Sequence, residues 1–147
     1  MHGVEERMGR FIGEHHVMTL ATVGGSGEAY CANLFYSYMA EENLFVFTSE
    51  DKTRHAREMR ANNFIAASVV LETKNVGKIQ GLQIQGNVSE PEGELYKKAR
   101  SSYLKRFPYA VVADLQLWIL RPTFMKLTDN RLGFGKKLIW SSSDGEE

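Results

Sequence analysis

A single cysteine, Cys31, and three prolines stand in a chain of 147 residues. One cysteine excludes an intramolecular disulfide and every CxxC or Cys/His zinc spacing. In its strand-like surroundings Cys31 reads as a small buried hydrophobe. Net charge is missing as well, because 18 Lys and Arg balance 18 Asp and Glu. Without a basic excess, neither nucleic acid nor an anionic membrane surface is an expected partner. The longest apolar-rich run, 64–71, falls far short of the roughly 20 residues that span a bilayer. The opening MHGVEERMGR lacks the apolar stretch of a secretion signal, so a cytoplasmic location is expected. Catalytic signatures are absent too: there is no GxSxG elbow, no HExxH and no P-loop. Among His2, His15, His16 and His55 only one pair is adjacent. Neighbours on a helix or strand point apart, so no metal site is expected.

What is present is the composition of a soluble globule, 43% hydrophobic and 24% charged. The length predicts one domain over 1–147, large enough to fold without a metal or a disulfide.

The apolar spacing of Val4, Met8, Phe11 and Ile12 predicts a first helix over 4–14. Runs rich in β-branched and aromatic residues predict strands at 17–23, 29–38 and 44–48, joined by turns at Gly24–Gly27 and Glu41–Asn43. A short helix is expected over 53–61, capped by Asp51 or Thr53. Strands at 64–71 and 79–89 follow, the second with Gly81 and Gly86 marking a bend. Ser89-Glu90-Pro91-Glu92 has the form of a capping box. The helix after it carries Leu95, Ala99 and Tyr103 on one face and ends before Pro108. Strands at 115–120 and 124–128, separated by Pro122, and a last extended piece at 138–140 complete the chain before a flexible tail over 141–147. Six or seven short strands with few helices predict a mainly β fold, an antiparallel barrel with peripheral helices.

Four stretches hold candidate chemistry. Thr48, Ser49, Lys52, Thr53, Arg54 and His55 cluster where a strand gives way to a helix. Free backbone N–H groups, hydroxyls and cations there suit a phosphate, though the same residues also make an ordinary solvated helix start. Residues 128–137 place two glycines around Phe134 and end in Lys136 and Lys137. They form either a ligand loop or a tight basic turn. Asn33, Leu34 and Phe35 offer a strand edge and an aromatic for a flat polar ring, or simply core. Gln83 and Gln85 lie on the polar face of their strand, solvated or facing a ligand.

Together these segments resemble the FMN-binding split barrels related to pyridoxamine 5′-phosphate oxidase. CANLFYSY, TSEDKTRHA, IQGLQIQG, RFPYA and TDNRLGFGKKLIW resemble a narrower bacterial branch of that superfamily with a TDNxxGFGKKxxW motif, and the likeness spans about 15–140. It implies a six- to seven-stranded split barrel. It also implies an FMN phosphate held at Phe47-Thr48 and Thr53-Arg54-His55, where the broad family has Tyr-Thr and Ser-Arg-Lys. The oxidases carry an Arg and a Lys on the second strand. Residues 32–37 have neither, which argues against pyridoxamine 5′-phosphate oxidation itself and leaves Lys136 and Lys137 to compensate. The resemblance further implies a homodimer with FMN at its interface and hydride chemistry at the flavin, with FAD, a deazaflavin or haem standing behind FMN. Trp118, Phe134 and Trp140 suit such an interface, and suit the core equally. A non-catalytic carrier or sensor, with His15, His16 or His55 as a haem ligand, and a barrel that has lost its ligand remain open.

Overall fold

The computed structural model describes residues 3–133 and 136–142. Among them, seven strands form one antiparallel sheet: β1 (Val17–Val23), β2 (Ala29–Met39), β3 (Leu44–Thr48), β4 (Phe64–Leu71), β5 (Gln80–Ser89), β6 (Leu117–Asp129) and β7 (Lys137–Ser141). Their order is β3-β2-β1-β4-β5-β6-β7, and a further β3–β6 pairing closes the first six into a barrel. The expected mainly β barrel with peripheral helices is the observed fold. The helices are α1 (Glu6–Glu14), α2 (Arg54–Ala61) and α3 (Gly93–Arg106). No helix among the described residues is long and apolar enough to cross a membrane. Phe134, Gly135 and the tail residues 143–147 lie outside the described residues. Ser141, expected in the tail, ends β7 instead.

Alternation fills the barrel. Met18 and Leu20 of β1, Ile65 and Val69 of β4, and Leu82 and Ile84 of β5 turn inward. Met8, Phe11 and Ile12 of α1 join the same core and cap the end where β1 begins. A second cluster packs α3, through Ala99, Tyr103 and Phe107, over Leu44, Val46 and Ile119. Strand β3 is therefore buried on both faces, which explains its unbroken apolar sequence.

Two strands expected around Pro122 are one. Strand β6 runs through the proline because Pro122 lies between the stretch paired with β3, which ends at Leu120, and the stretch paired with β7, which begins at Phe124. No neighbour on that edge needs its missing N–H. Gln85 pairs with Phe124 and Gly86 with Pro122, so Thr123 is an extra residue, a bulge. The bulge moves the inward phase from Trp118 and Leu120 to Met125 and Leu127, and a sequence scan sees that change as a break.

Two further expectations are corrected and one open alternative is decided. Cys31 is exposed, because 29, 31, 33 and 35 are the outward positions of β2. Of the two readings of Trp118 and Trp140, core is the one observed: Trp118 is buried at 2% exposure and Trp140 packs partly buried against the core. The expected capping box does not form: Glu92 is the N-cap of α3 and makes no side-chain cap bond.

Gly86 is the position that the bend cannot spare. A Cβ there meets Leu120 Cδ1 at 2.8 Å, with the carbonyl oxygen of Arg121 closer still. We expect Gly86→Ala to cost about 1–3 kcal/mol and to lower Tm by several degrees in a thermal melt. Gly9→Ala in α1 is the control. Its Cβ meets nothing within 4 Å, and the change is expected to be neutral or stabilising.

Candidate functional site

Strand β3 gives out at Thr48, and the chain turns into α2 through Ser49, whose N–H bonds the carbonyl of Gln116 at 3.0 Å. Thr53 is the N-cap, its hydroxyl accepting from the N–H of Ala56. Ser49 Oγ lies 3.2 Å from Thr53 Oγ1. Asp51 fixes the turn from two sides: its N–H bonds Gln116 Oε1 at 2.6 Å, and its carboxylate pairs with Arg60. A cleft of about 460 Å³ runs between 48–52 and 113–116. Lys52 stands exposed at its edge, 3.9 Å from Glu50.

Arg54 opens α2 as an oriented guanidinium. Its Nε donates to Glu58 at 2.8 Å, and its plane lies 4.1 Å from the centre of the Tyr30 ring. Both Nη groups stay available for an oxyanion. Glu58 also accepts from the buried hydroxyl of Thr22 at 2.6 Å. The Thr22 bond first, then the Arg54 bond, hold its carboxyl below the usual glutamate value. His55 is half-buried, and its Nε2 is buried without a partner among the described residues. Burial lowers its pKa, so the ring is neutral near pH 7. Phe47 is fully buried in the barrel core; its side chain packs there and is closed to a ligand.

The remaining candidates gather elsewhere. On the outer face of the sheet, Thr19, Ser68, Gln83 and Lys126 form one cross-strand row, and Ala21, Ala66, Gln85 and Phe124 the next. The small side chains between larger ones leave a hollow of about 420 Å³. Asn33 joins it by accepting from Thr19 Oγ1 at 2.7 Å. Phe35, 52% exposed, stands beside Val17, while Leu34 packs against the core. Lys136 and Lys137 are exposed where the chain enters β7. The α2 start packs on the end of β1 and β2 through Glu58–Thr22 and Arg54–Tyr30, whereas the hollow lies on the outer face of β1, β4, β5 and β6.

Sequence reasoning missed Glu58, Thr22, Tyr30 and Gln116. The Arg54–Glu58 spacing of four along a helix was a usable signal. The other three reach the site across the fold, and no local pattern announces them. A depressed carboxyl pKa stabilises the fold above its unfolded value and loses that contribution as pH falls through the folded value. The Tm difference between wild type and Glu58→Gln should therefore be widest at neutral pH and close as pH drops below about 4. Thermal melts from pH 3 to 7 measure it, and a constant difference would contradict the assignment.

A family model described as pyridoxamine 5′-phosphate oxidase matches residues 4–128. UPF0306 protein YhbP of Escherichia fergusonii is 41% identical over 138 residues, 94% of this chain and 93% of its own. UPF0306 protein plu4501 of Photorhabdus laumondii is 39% identical over 131 residues, 89% of this chain and 91% of its own. Among solved structures, a heme binding protein from Mycobacterium smegmatis superimposes with a TM-score of 0.75 at 19% identity, over 88% of this chain and 54% of that one. HutZ, the heme storage protein from Vibrio cholerae, gives 0.67 at 20% identity over 80% and 89%. A pyridoxamine 5′-phosphate oxidase-related, FMN binding protein from Nostoc punctiforme gives 0.68 at 10% identity over 96% and 93%. At these identities the likeness is one of fold. By the model match and its relatives, the chain belongs to the pyridoxamine 5′-phosphate oxidase family, alongside the UPF0306 proteins.

Proposed function

We propose that the protein is an FMN-dependent oxidoreductase that works as a homodimer, its flavin lying between the sheet face of one protomer and the α2 start of the other. The observation that carries this reading is the hollow on the outer sheet face. Its floor of Ala21, Ala66 and Ser68 is flat and small enough to admit a planar ring. Gln83, Gln85 and Asn33 supply amide donors and acceptors at the margin, as a ring with polar edges requires. Val70 and Phe64 of the same strand face are 62% and 57% exposed. They give the hollow an apolar rim of the kind that association covers.

The phosphate falls to the α2 start. Thr53 fixes the turn by donating to the Glu50 carbonyl and capping Ala56, while Ser49 supplies a hydroxyl, the first turn supplies N–H groups, and Arg54 presents its two Nη groups. Glu58 and Tyr30 are positioning residues for that guanidinium. Lys136 and Lys137 take the role of the cations that β2 lacks. Bound flavin would supply hydride acceptance and donation. The chain itself binds, orients and shields the ring. The candidates divide between the barrel end and the outer sheet face, and a second protomer laid on that face would bring its α2 start against the hollow.

Haem is the second reading. His16 is exposed just before β1, its ring centre 6.3 Å from that of Phe107. Partial burial, then the charges of Arg106 and His15, lower its pKa and keep a lone pair free.

Absorbance of the purified protein, FMN titration and sedimentation test the two readings together. We expect a flavin spectrum, a dimer at micromolar concentration, and FMN affinity weakened roughly tenfold or more in Arg54→Ala. Lys136→Ala/Lys137→Ala should weaken it as well. Ala66→Arg should abolish both dimer and FMN binding while the far-ultraviolet spectrum stays unchanged. A colourless monomer indifferent to FMN would overturn the proposal. A Soret band on adding hemin, lost in His16→Ala, would replace it with the haem reading.

A further inference from the structure

We propose a second, separate anion site at the opposite end of the barrel, built by Arg7 and Arg10 of α1 with Arg131 after β6, for a small phosphate-type dianion. Residues 7, 10, 11 and 14 lie along one stripe of α1. Phe11, at 2% exposure, is driven into the barrel core and fixes the helix. Arg7, Arg10 and Glu14 are thereby laid along one side of a cleft of about 160 Å³, and Arg131 and Gln80 form the other side.

Arg131 is held as firmly as a surface guanidinium can be. Its Nε and backbone N–H both donate to Asp129 Oδ1, at 3.1 and 3.0 Å. Its Nη2 reaches Asp129 Oδ2 at 2.9 Å and Gln80 Oε1 at 3.1 Å. The Asp129 side chain is 1% exposed, so this anchor lies beneath the cleft and is spent on Arg131. The Nη1 group remains. Arg10 has only a loose ion pair with Glu6 at 3.6 Å, both side chains largely exposed. The Arg7 guanidinium makes no hydrogen bond or ion pair among the described residues.

The three guanidiniums are matched in number by Glu14, the buried Asp129 and Glu6, and the charge of Arg7 also bears on Asp129. What the cleft offers an oxyanion is directed N–H groups, Nη1 of Arg131 and the guanidinium of Arg7, rather than net charge. Guanidiniums meet a tetrahedral oxyanion through paired N–H bonds, a match that lysine lacks. The cleft is below the roughly 300 Å³ at which sites for drug-sized molecules begin, so a flavin ring is excluded and a phosphate-sized ion fits. The site does not depend on the flavin reading: it lies where β1 begins and β6 ends, whereas α2 covers the end where β1 finishes.

The test is an NMR titration of the full chain with inorganic phosphate at constant ionic strength, following the arginine Nε–H resonances. Resonances of Arg7, Arg10 and Arg131 should move with one common affinity. Arg7→Gln and Arg10→Gln should each weaken it roughly tenfold, while Lys74→Ala, on a distant loop, leaves it unchanged. Arg131→Gln strands the buried Asp129 carboxylate and threatens the fold, so the variants at exposed α1 positions carry the test. Three outcomes overturn the proposal: no movement of these resonances, movement confined to Arg54, or undiminished affinity in Arg7→Gln.

Discussion

Strand β6 serves three partners, and the molecule depends on its change of partner at Pro122. Before the proline it closes the barrel against β3, and after it β7 takes the same edge. On the other edge β5 stays paired throughout, with a single slip opposite Gly86. An unbulged β6 would keep one inward phase along its length, and either Trp118 and Leu120 or Met125 and Leu127 would then face outward. The extra Thr123 lets both pairs reach one core. Gly86 is the complement of that slip, because only a residue without Cβ fits beneath the displaced backbone.

The helices are tied to the barrel by another shared group. Arg106, at the end of α3, donates to the carbonyls of Gly13, His15 and Tyr36. One guanidinium thus satisfies the C-terminal end of α1, the entry to β1 and the middle of β2. The cost of desolvating it is offset by the bonds to those three carbonyls. Through this tie the position of α1, and with it the stripe of Arg7 and Arg10, is set by packing on the far side of the barrel.

Much of this was legible from sequence because period and turn chemistry are local. The strands from 17 to 89, the Thr53 cap and the α3 face at Ala99 and Tyr103 follow from alternation, capping residues and helical spacing. What failed has a common cause. Pro122 reads as a strand break only until the partner switch is known. Cys31 lies outside where a buried site is expected, and the sequence around Trp118, a core residue, suits core and interface alike, because in-or-out phase is decided by pairing, which one strand does not encode. The candidate residues were legible by type and not by place. Thr53, Arg54 and His55 are contiguous and stay together, whereas Gln83, Gln85 and Asn33 meet across β1, β4 and β5 on a face that no single segment announces.

The zero net charge takes on a different meaning in this light. Arg54 is turned by Glu58, Arg131 by Asp129, and Arg60 lies between Asp51 and Glu90. Glu58 engages Nε of Arg54 and leaves its two Nη groups, whereas Asp129 engages both Nε and Nη2 of Arg131 and leaves Nη1. The Thr22 hydroxyl and then Arg54 hold Glu58 below its usual pKa, and Arg131 does the same for Asp129, so each stays ionised through the neutral range. A guanidinium fixed in this way has lost most of its side-chain entropy before any ligand arrives, and an arriving oxyanion has that much less ordering to oppose it. The same pairing adds one negative charge for each cation it orients. A chain that positions its arginines with carboxylates therefore tends towards 18 against 18, and its electrostatic specificity resides in which face of each guanidinium is left open.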